Sequence, residues 1–264
     1  MIPAQQSLLD AIVRVLSADG RVQSAWLTGS LGKGGGDAFS DVDVNVVVPE
    51  AVFDATLAAY SGGLSAIANV VCINIVHGRV LNAITDGWER FDLTFVKPNE
   101  FAAMPLGEIK PLFNRGTPER MLAPPPPYKP SPQRILQLAT EFLRVLGLAS
   151  AVMGREEYLV ALDGVGLLRR MTLDLMLEQN GVSPAVRGGA LHMNLFLTPE
   201  QRHTLEALPP LVATRESLLA ADAALARIFL PLAKELAAQT GARWPSSFEE
   251  ATRRNLAARL ELEI

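Results

Sequence analysis

Asp41-Val42-Asp43 opens a valine-rich run over residues 42–48. Side chains two apart on a strand share a face, so both carboxylates point one way while Val42, Val44, Val46 and Val48 point the other, into a core. Two carboxylates a few ångströms apart repel each other unless positive charge lies between them. Magnesium suits such a place, because hard divalent cations take oxygen ligands and keep waters that phosphates can replace. Asp92 extends the pattern. In Arg90-Phe91-Asp92-Leu93-Thr94-Phe95 the apolar residues Phe91, Leu93 and Phe95 alternate as a buried face, leaving Asp92 and Thr94 on the opposite one. If this segment neighbours the Val42 segment, three carboxylates meet on one polar face and could hold two metal ions.

Thr28-Gly29-Ser30 lies upstream, at the end of another short apolar segment. Glycine lets backbone amides approach phosphate oxygens, Ser30 can add a hydroxyl, and a helix starting there would offer its positive end. Lys33 in the same loop, and Ser40 beside Asp41, complete the candidate nucleotide-binding set; Gly34-Gly35-Gly36 would keep the loop mobile. The string GSLGKGGG is not a P-loop, because Gly34 follows Lys33 where that motif needs Ser or Thr.

The elements that must position these residues follow from periodicity and breakers. Residues 4–18 carry Leu8, Leu9, Ile12, Val13 and Leu16 at helical spacing, and Gly20 ends that helix. Strands are predicted over residues 22–28, 42–48 and 70–76, with a helix over 50–61. A hairpin follows, over 79–85 and 89–96, with its tight turn at Asp86-Gly87. The fold class is α+β: a small mixed sheet with helices against one face over residues 1–122, then an all-α bundle over 132–264. A proline-rich linker, residues 123–131, separates them. Bundle helices are expected over 132–150, 155–179, 198–207, 214–240 (bent near Pro231) and 248–260.

The chain has 264 residues, is 49% apolar and carries a net charge of −4, which predicts no broad basic face for nucleic acid. The first residues have no basic leader and carry Asp10, and no apolar stretch approaches the roughly 20 residues that span a bilayer, so a soluble, cytoplasmic protein is expected. Cys72, the single cysteine, reads as a small core residue in Val70-Val71-Cys72-Ile73. His77 and His203 lack metal-ligand spacing and read as surface residues or local hydrogen-bond donors; Tyr128 and Trp244 read as packing residues. Arg187 and His192 stand five apart, a spacing that resembles the Arg…His pair of HEPN ribonucleases, but Gly188-Gly189 argue against the helix that pair needs.

Gly29-Ser30, then Asp41-Val42-Asp43, then Asp92, in that order, resembles the nucleotidyltransferase superfamily with the polymerase β-like fold, which includes polymerase β and the aminoglycoside nucleotidyltransferases. The motifs cover the first 100 residues or so. The resemblance implies an enzyme that moves a nucleoside monophosphate from a triphosphate, ATP being expected, to a small-molecule hydroxyl and releases pyrophosphate. Asp41, Asp43 and Asp92 would be the catalytic metal ligands for two magnesium ions, and Gly29, Ser30, Lys33 and Ser40 would hold the nucleotide. In some small-molecule relatives a glutamate of the helical domain is the general base. Glu157 is the candidate here and Glu156 the next, against the plainer reading that acidic residues favour a helix N-terminus. Arg169 and Arg170 could face phosphates or merely solvent. An aminoglycoside-like acceptor, a protein acceptor as in antitoxin-type relatives, and a non-catalytic nucleotide sensor are the functional alternatives.

Overall fold

The structure is a computed structural model and describes residues 1–103, 109–116, 127–184 and 190–264. Pro124, Pro125 and Pro126 of the proline run and the segment Arg187-Gly188-Gly189 lie outside the described residues, as does the His192 side chain. The chain divides into two compact units, Met1–Pro125 and Pro126–Ile264.

In the first unit, α1 (Pro3–Ala18) buries Leu8, Leu9, Ile12 and Leu16. It is followed by β1 (Ser24–Leu27), the single-turn helix α2 (Gly29–Gly32) and β2 (Val42–Val47). A 3-10 turn, Glu50–Val52, leads into α3 (Phe53–Ser61). Then come β3 (Val70–Val76), β4 (Val80–Thr85), β5 (Arg90–Val96), α4 (Pro98–Ala103) and β6 (Lys110–Asn114). The six strands form a mixed sheet in the order β3-β4-β5-β2-β1-β6. Among the described residues only the β2–β5 pairing is parallel; the others are antiparallel.

Alternation divides the sheet's faces. Val42, Val44 and Val46 of β2, with Phe91, Leu93 and Phe95 of β5, are essentially inaccessible and pack with residues of α1 and α3. On the other face, Val47, Val96 and Trp26 form a small apolar patch with Phe101 of α4. That face is therefore apolar at one end, while the polar residues of β2 and β5 lie at the other.

Several expectations are corrected. Cys72 is exposed, because β3 is an edge strand with one neighbour and its outer residues, including Val71 at 64% exposure, escape the core. In the β4–β5 turn the left-handed position falls to Trp88 (φ 64°) and not to Gly87, an uncommon conformation for a bulky residue. β6, which carries Pro111, and α4 were not anticipated; Pro111 weakens the strand signal and suits the sheet edge where β6 sits. His77 is exposed in the β3–β4 turn, with a left-handed backbone.

The second unit is helical among its described residues, with α5 (Pro132–Gly154), α6 (Tyr158–Gln179), a 3-10 segment Ala190–Leu195, α7 (Pro199–Glu206), α8 (Arg215–Thr240) and α9 (Ser246–Leu260). Ser131 and Thr198 cap their helices through side-chain oxygens, and prolines occupy the first turns. α8 continues through Pro231. Phe142 and Phe229 stack at 3.8 Å between ring centroids, at the meeting of α5 and α8. Contrary to the sequence expectation, α5 is long and apolar enough to cross a bilayer by length and composition, with a mean hydropathy of 1.5. Its Ile135, Leu138, Phe142, Leu143 and Leu146 are buried in the helical core.

Tyr128 and Trp244 do more than pack. The Tyr128 hydroxyl donates to Glu178 Oε2 at 2.7 Å, and Trp244 Nε1 donates to Glu249 Oε2 at 2.7 Å. Glu249 also accepts from Lys234 Nζ and from Arg253 Nη2, each at 2.8 Å. Burial works to raise its pKa, but these donors outweigh burial and hold it below the usual carboxylate range. Glu249→Ala is expected to destabilise the protein by roughly 2 kcal/mol, since a nearly buried carboxylate with three donors is removed while its cations keep access to water. Urea denaturation measures it.

A candidate metal and nucleotide site

β2 and β5 run side by side in register, and Asp43 is the direct partner of Asp92. Asp41, just before β2, is two residues from Asp43. The result is a cluster in which Asp41, Asp43 and Asp92, all half-buried, each offer an oxygen, these oxygens lying within 4.8 Å of one another. Such an all-oxygen, acidic donor set suits a hard divalent cation.

The charges are held together against their repulsion. Burial, then Asp41, then Asp92 push the Asp43 carboxyl up to about 7, and Arg90 works the other way. Burial also raises Asp92; a hydrogen bond from the Asn82 side chain opposes it, Asp41 adds to it and Arg90 again pulls down. Asn82 on β4 is the cross-strand partner of Asp92. Arg90 also donates from Nη2 to the Phe39 carbonyl at 2.7 Å, linking β5 to the loop that carries Asp41. The sequence reading missed both residues, although strand parity puts Arg90 on the Asp92 face.

Gly29 has φ 60°, and a Cβ built there would lie 1.8 Å from Asp43 Oδ2. Its first task is therefore to leave room for the Asp43 carboxylate. The amide of Thr28 donates to the Asp43 carbonyl at 2.9 Å, which fixes the turn to β2. The Ser30 hydroxyl oxygen is buried and has no hydrogen-bond partner among the described residues, so it is uncommitted within the protein. The expected positive helix end at Ser30 is reduced to a few amides, because α2 is only four residues long.

The other anticipated residues are placed differently. Lys33 is exposed at the end of α2. The Ser40 hydroxyl is engaged within its own loop: it accepts from the Asp37 amide and donates to Asp37 Oδ1, both at 3.0 Å. Buried Gln5 of α1 braces the same loop, donating from Nε2 to the carbonyls of Asp37 at 2.8 Å and Ser40 at 2.7 Å. Glu157 belongs to the helical unit. The predicted helix over 155–179 starts at Tyr158, because Glu156 turns left-handed (φ 58°) and Glu157 becomes the N-cap, exposed and without a side-chain capping bond. Arg169 and Arg170 are exposed on α6, and Arg170 lies 3.7 Å from Asp174. His203 is exposed on α7.

No protein-family model and no curated protein matches the sequence. Among solved structures the chain is similar to an aminoglycoside 6-adenyltransferase from Bacillus subtilis, at 13% identity and a TM-score of 0.46 over 96% of this chain and 98% of that one.

Gly29→Ala is expected to weaken divalent-cation binding by about tenfold or more, since its Cβ collides with a ligand carboxylate; Mn2+ titration followed by electron paramagnetic resonance reads this directly. The raised pKa of Asp43, about 7 against 3.8 for the ordinary group, sets a pH dependence. The folded state binds that proton more tightly, so its stabilising effect is complete below about pH 4 and is lost as pH rises through about 7. Metal-free protein is expected to melt lower at pH 8 than at pH 5. Added Mg2+ should raise the melting temperature more at pH 8, and Asp43→Asn should remove most of that gain.

Proposed function

We propose that the protein is a magnesium-dependent nucleotidyltransferase that moves a nucleoside monophosphate from a nucleoside triphosphate, ATP in the first instance, to a hydroxyl of a small-molecule acceptor. The observation that carries this reading is the convergence of Asp41, Asp43 and Asp92 within 4.8 Å, beside the Gly29-Ser30 turn. Acidic clusters on their own are common. Here the turn is shaped around one of the carboxylates and holds an uncommitted hydroxyl, which suits a metal-bound polyphosphate.

Asp41 and Asp43 would hold a magnesium ion carrying the triphosphate, and Asp92 would complete the ligands of a second. Bound magnesium supplies charge neutralisation on the attacking and departing oxygens. The Gly29 and Ser30 amides and the Ser30 hydroxyl would orient phosphate oxygens, for which Ser30 must turn toward the ligand. Arg90 offsets part of the negative charge of the cluster and works against the rise of the Asp43 and Asp92 carboxyls. The acceptor oxygen forms a bond to the α-phosphorus, the bond to the bridging oxygen breaks, and pyrophosphate leaves. The acceptor's proton passes to a base, for which Glu157 is the candidate. The acceptor proposed is a cationic, aminoglycoside-like molecule, drawn to an acidic site.

Purified protein with Mg2+, each of the four triphosphates and a panel of aminoglycosides and other polyols is expected to release pyrophosphate with at least one pair. Asp43→Ala should lower the rate by about a thousandfold or more, because a ligand to both metals is lost. Glu157→Gln should lower the rate by about 10²–10⁴-fold if that residue is the base. Triphosphate binding without pyrophosphate release, over the whole panel, would overturn the enzymatic reading; label appearing on a polypeptide would redirect the acceptor.

A further inference from the structure

The helical unit holds a buried acid that the proposed reaction does not use. Asp222 lies on α8 and is 3% exposed. Its surroundings include Ala149, Met153, Ala161, Val165 and Leu168, all apolar. Among the described residues no hydrogen bond or ion pair holds its carboxylate. The other buried acids of this unit are treated differently. Glu178 has the Tyr128 hydroxyl at 2.7 Å and Arg134 at 3.6 Å, and Glu249 has its donors within 2.9 Å. A buried carboxylate without a partner costs free energy that a leucine at the same place would not.

Asp222 is one of the residues that line a pocket of about 220 Å³ between α5 and α6, open to solvent. Leu148, Val160 and Leu167 line it and are themselves 48%, 53% and 55% exposed, so that the pocket mouth is a contiguous apolar surface that a ligand could cover. Two further charged residues line it. Arg144 is held by Glu141 at 2.6 Å, and Asp163 is exposed. The pocket thus has hydrocarbon walls, an unneutralised acid among them and a second acid in the lining.

We propose that this pocket binds a small apolar amine in its protonated form, with the ammonium against Asp222 and the hydrocarbon or aromatic body along Leu148, Val160 and Leu167. The ammonium gives the carboxylate the partner that the fold withholds, and the body removes exposed apolar surface from water. Burial alone pushes the Asp222 carboxyl up to about 7, as expected of an acid with no ion-pair partner among the described residues. The volume lies below the roughly 300–1,000 Å³ of drug-sized sites, so the guest is a compact amine or one arm of a larger molecule. A polyhydroxylated cation fits poorly, because the walls offer little to hydrogen-bond. The site lies wholly within the helical unit and does not depend on the nucleotidyltransferase reading.

The test uses the full-length protein at pH 8 and three probes of one shape: phenethylamine, phenethyl alcohol and phenylpropionate, titrated by calorimetry and ligand-observed NMR. The amine is expected to bind, the alcohol about tenfold more weakly or worse, and the carboxylate least of all. Asp222→Asn should bring amine and alcohol to within about twofold of each other. Gly164 lines the pocket, and a Cβ there would meet nothing within 4 Å. Gly164→Leu should therefore fill the pocket, abolish binding and leave the unfolding midpoint unchanged or higher. Equal affinity for amine and alcohol, amine preference retained in Asp222→Asn, binding retained in Gly164→Leu, or no amine binding by the intact protein would each overturn the proposal. Should Asp222→Asn fail to fold, the probe series and Gly164→Leu still decide it. Pyrophosphate release plays no part in these readouts, so this proposal and the catalytic reading can fail separately.

Discussion

Like charges crowded in a half-buried place are the constraint around which the first unit is built. Asp41, Asp43 and Asp92 bring their oxygens within 4.8 Å of one another, and Asp43 is left with a carboxyl that titrates near 7. Such an arrangement persists only if the surrounding structure over-determines it. The parallel register of β2 and β5 sets Asp43 against Asp92, and the next strand out supplies Asn82. Arg90 adds opposing charge and ties β5 to the Asp41 loop, and Gln5 reaches from α1 to the same loop. Gly29 gives up its side chain so that the Asp43 carboxylate has room. A divalent cation would relieve the same repulsion that these contacts restrain, and that is the physical link between the fold of this unit and the chemistry proposed for it.

The helical unit shows the complementary case. Glu178 and Glu249 are buried among donors and behave as structural anchors. Asp222 is just as inaccessible but has no donor among the described residues, and it lines a pocket whose apolar lining is partly open to water. Both units therefore keep carboxylates at an elevated pKa, through different causes: a neighbouring acid adds to burial at Asp43 and Asp92, whereas burial acts alone at Asp222. That difference in cause distinguishes the site proposed for a divalent cation from the one proposed for an organic ammonium.

Much of the architecture is legible in the sequence because periodicity is a local property. The alternation Val42, Val44, Val46 and the spacing Leu8, Leu9, Ile12, Leu16 each announce an element and its buried face. Edges and one-turn elements are not announced in this way. Cys72 sits in an apolar run yet is exposed, because position in the sheet and not composition decides how many neighbours a strand has. β6 and α4 are short, and Pro111 hides the former. Asp222 sits in a helical pattern that would suit solvent as well as core.

The sequence by itself determined which residues could do chemistry and on which face of each strand they stand, since residue type and a period of two are fixed along the chain. Only the tertiary structure decided that β5 lies beside β2 in the register that sets Asp92 against Asp43, that Gln5 holds a loop more than thirty positions away, and that Asp222 lines a pocket without a partner among the described residues. Those are contacts between segments far apart in the chain, chosen by packing and pairing energies to which no local pattern of residues corresponds.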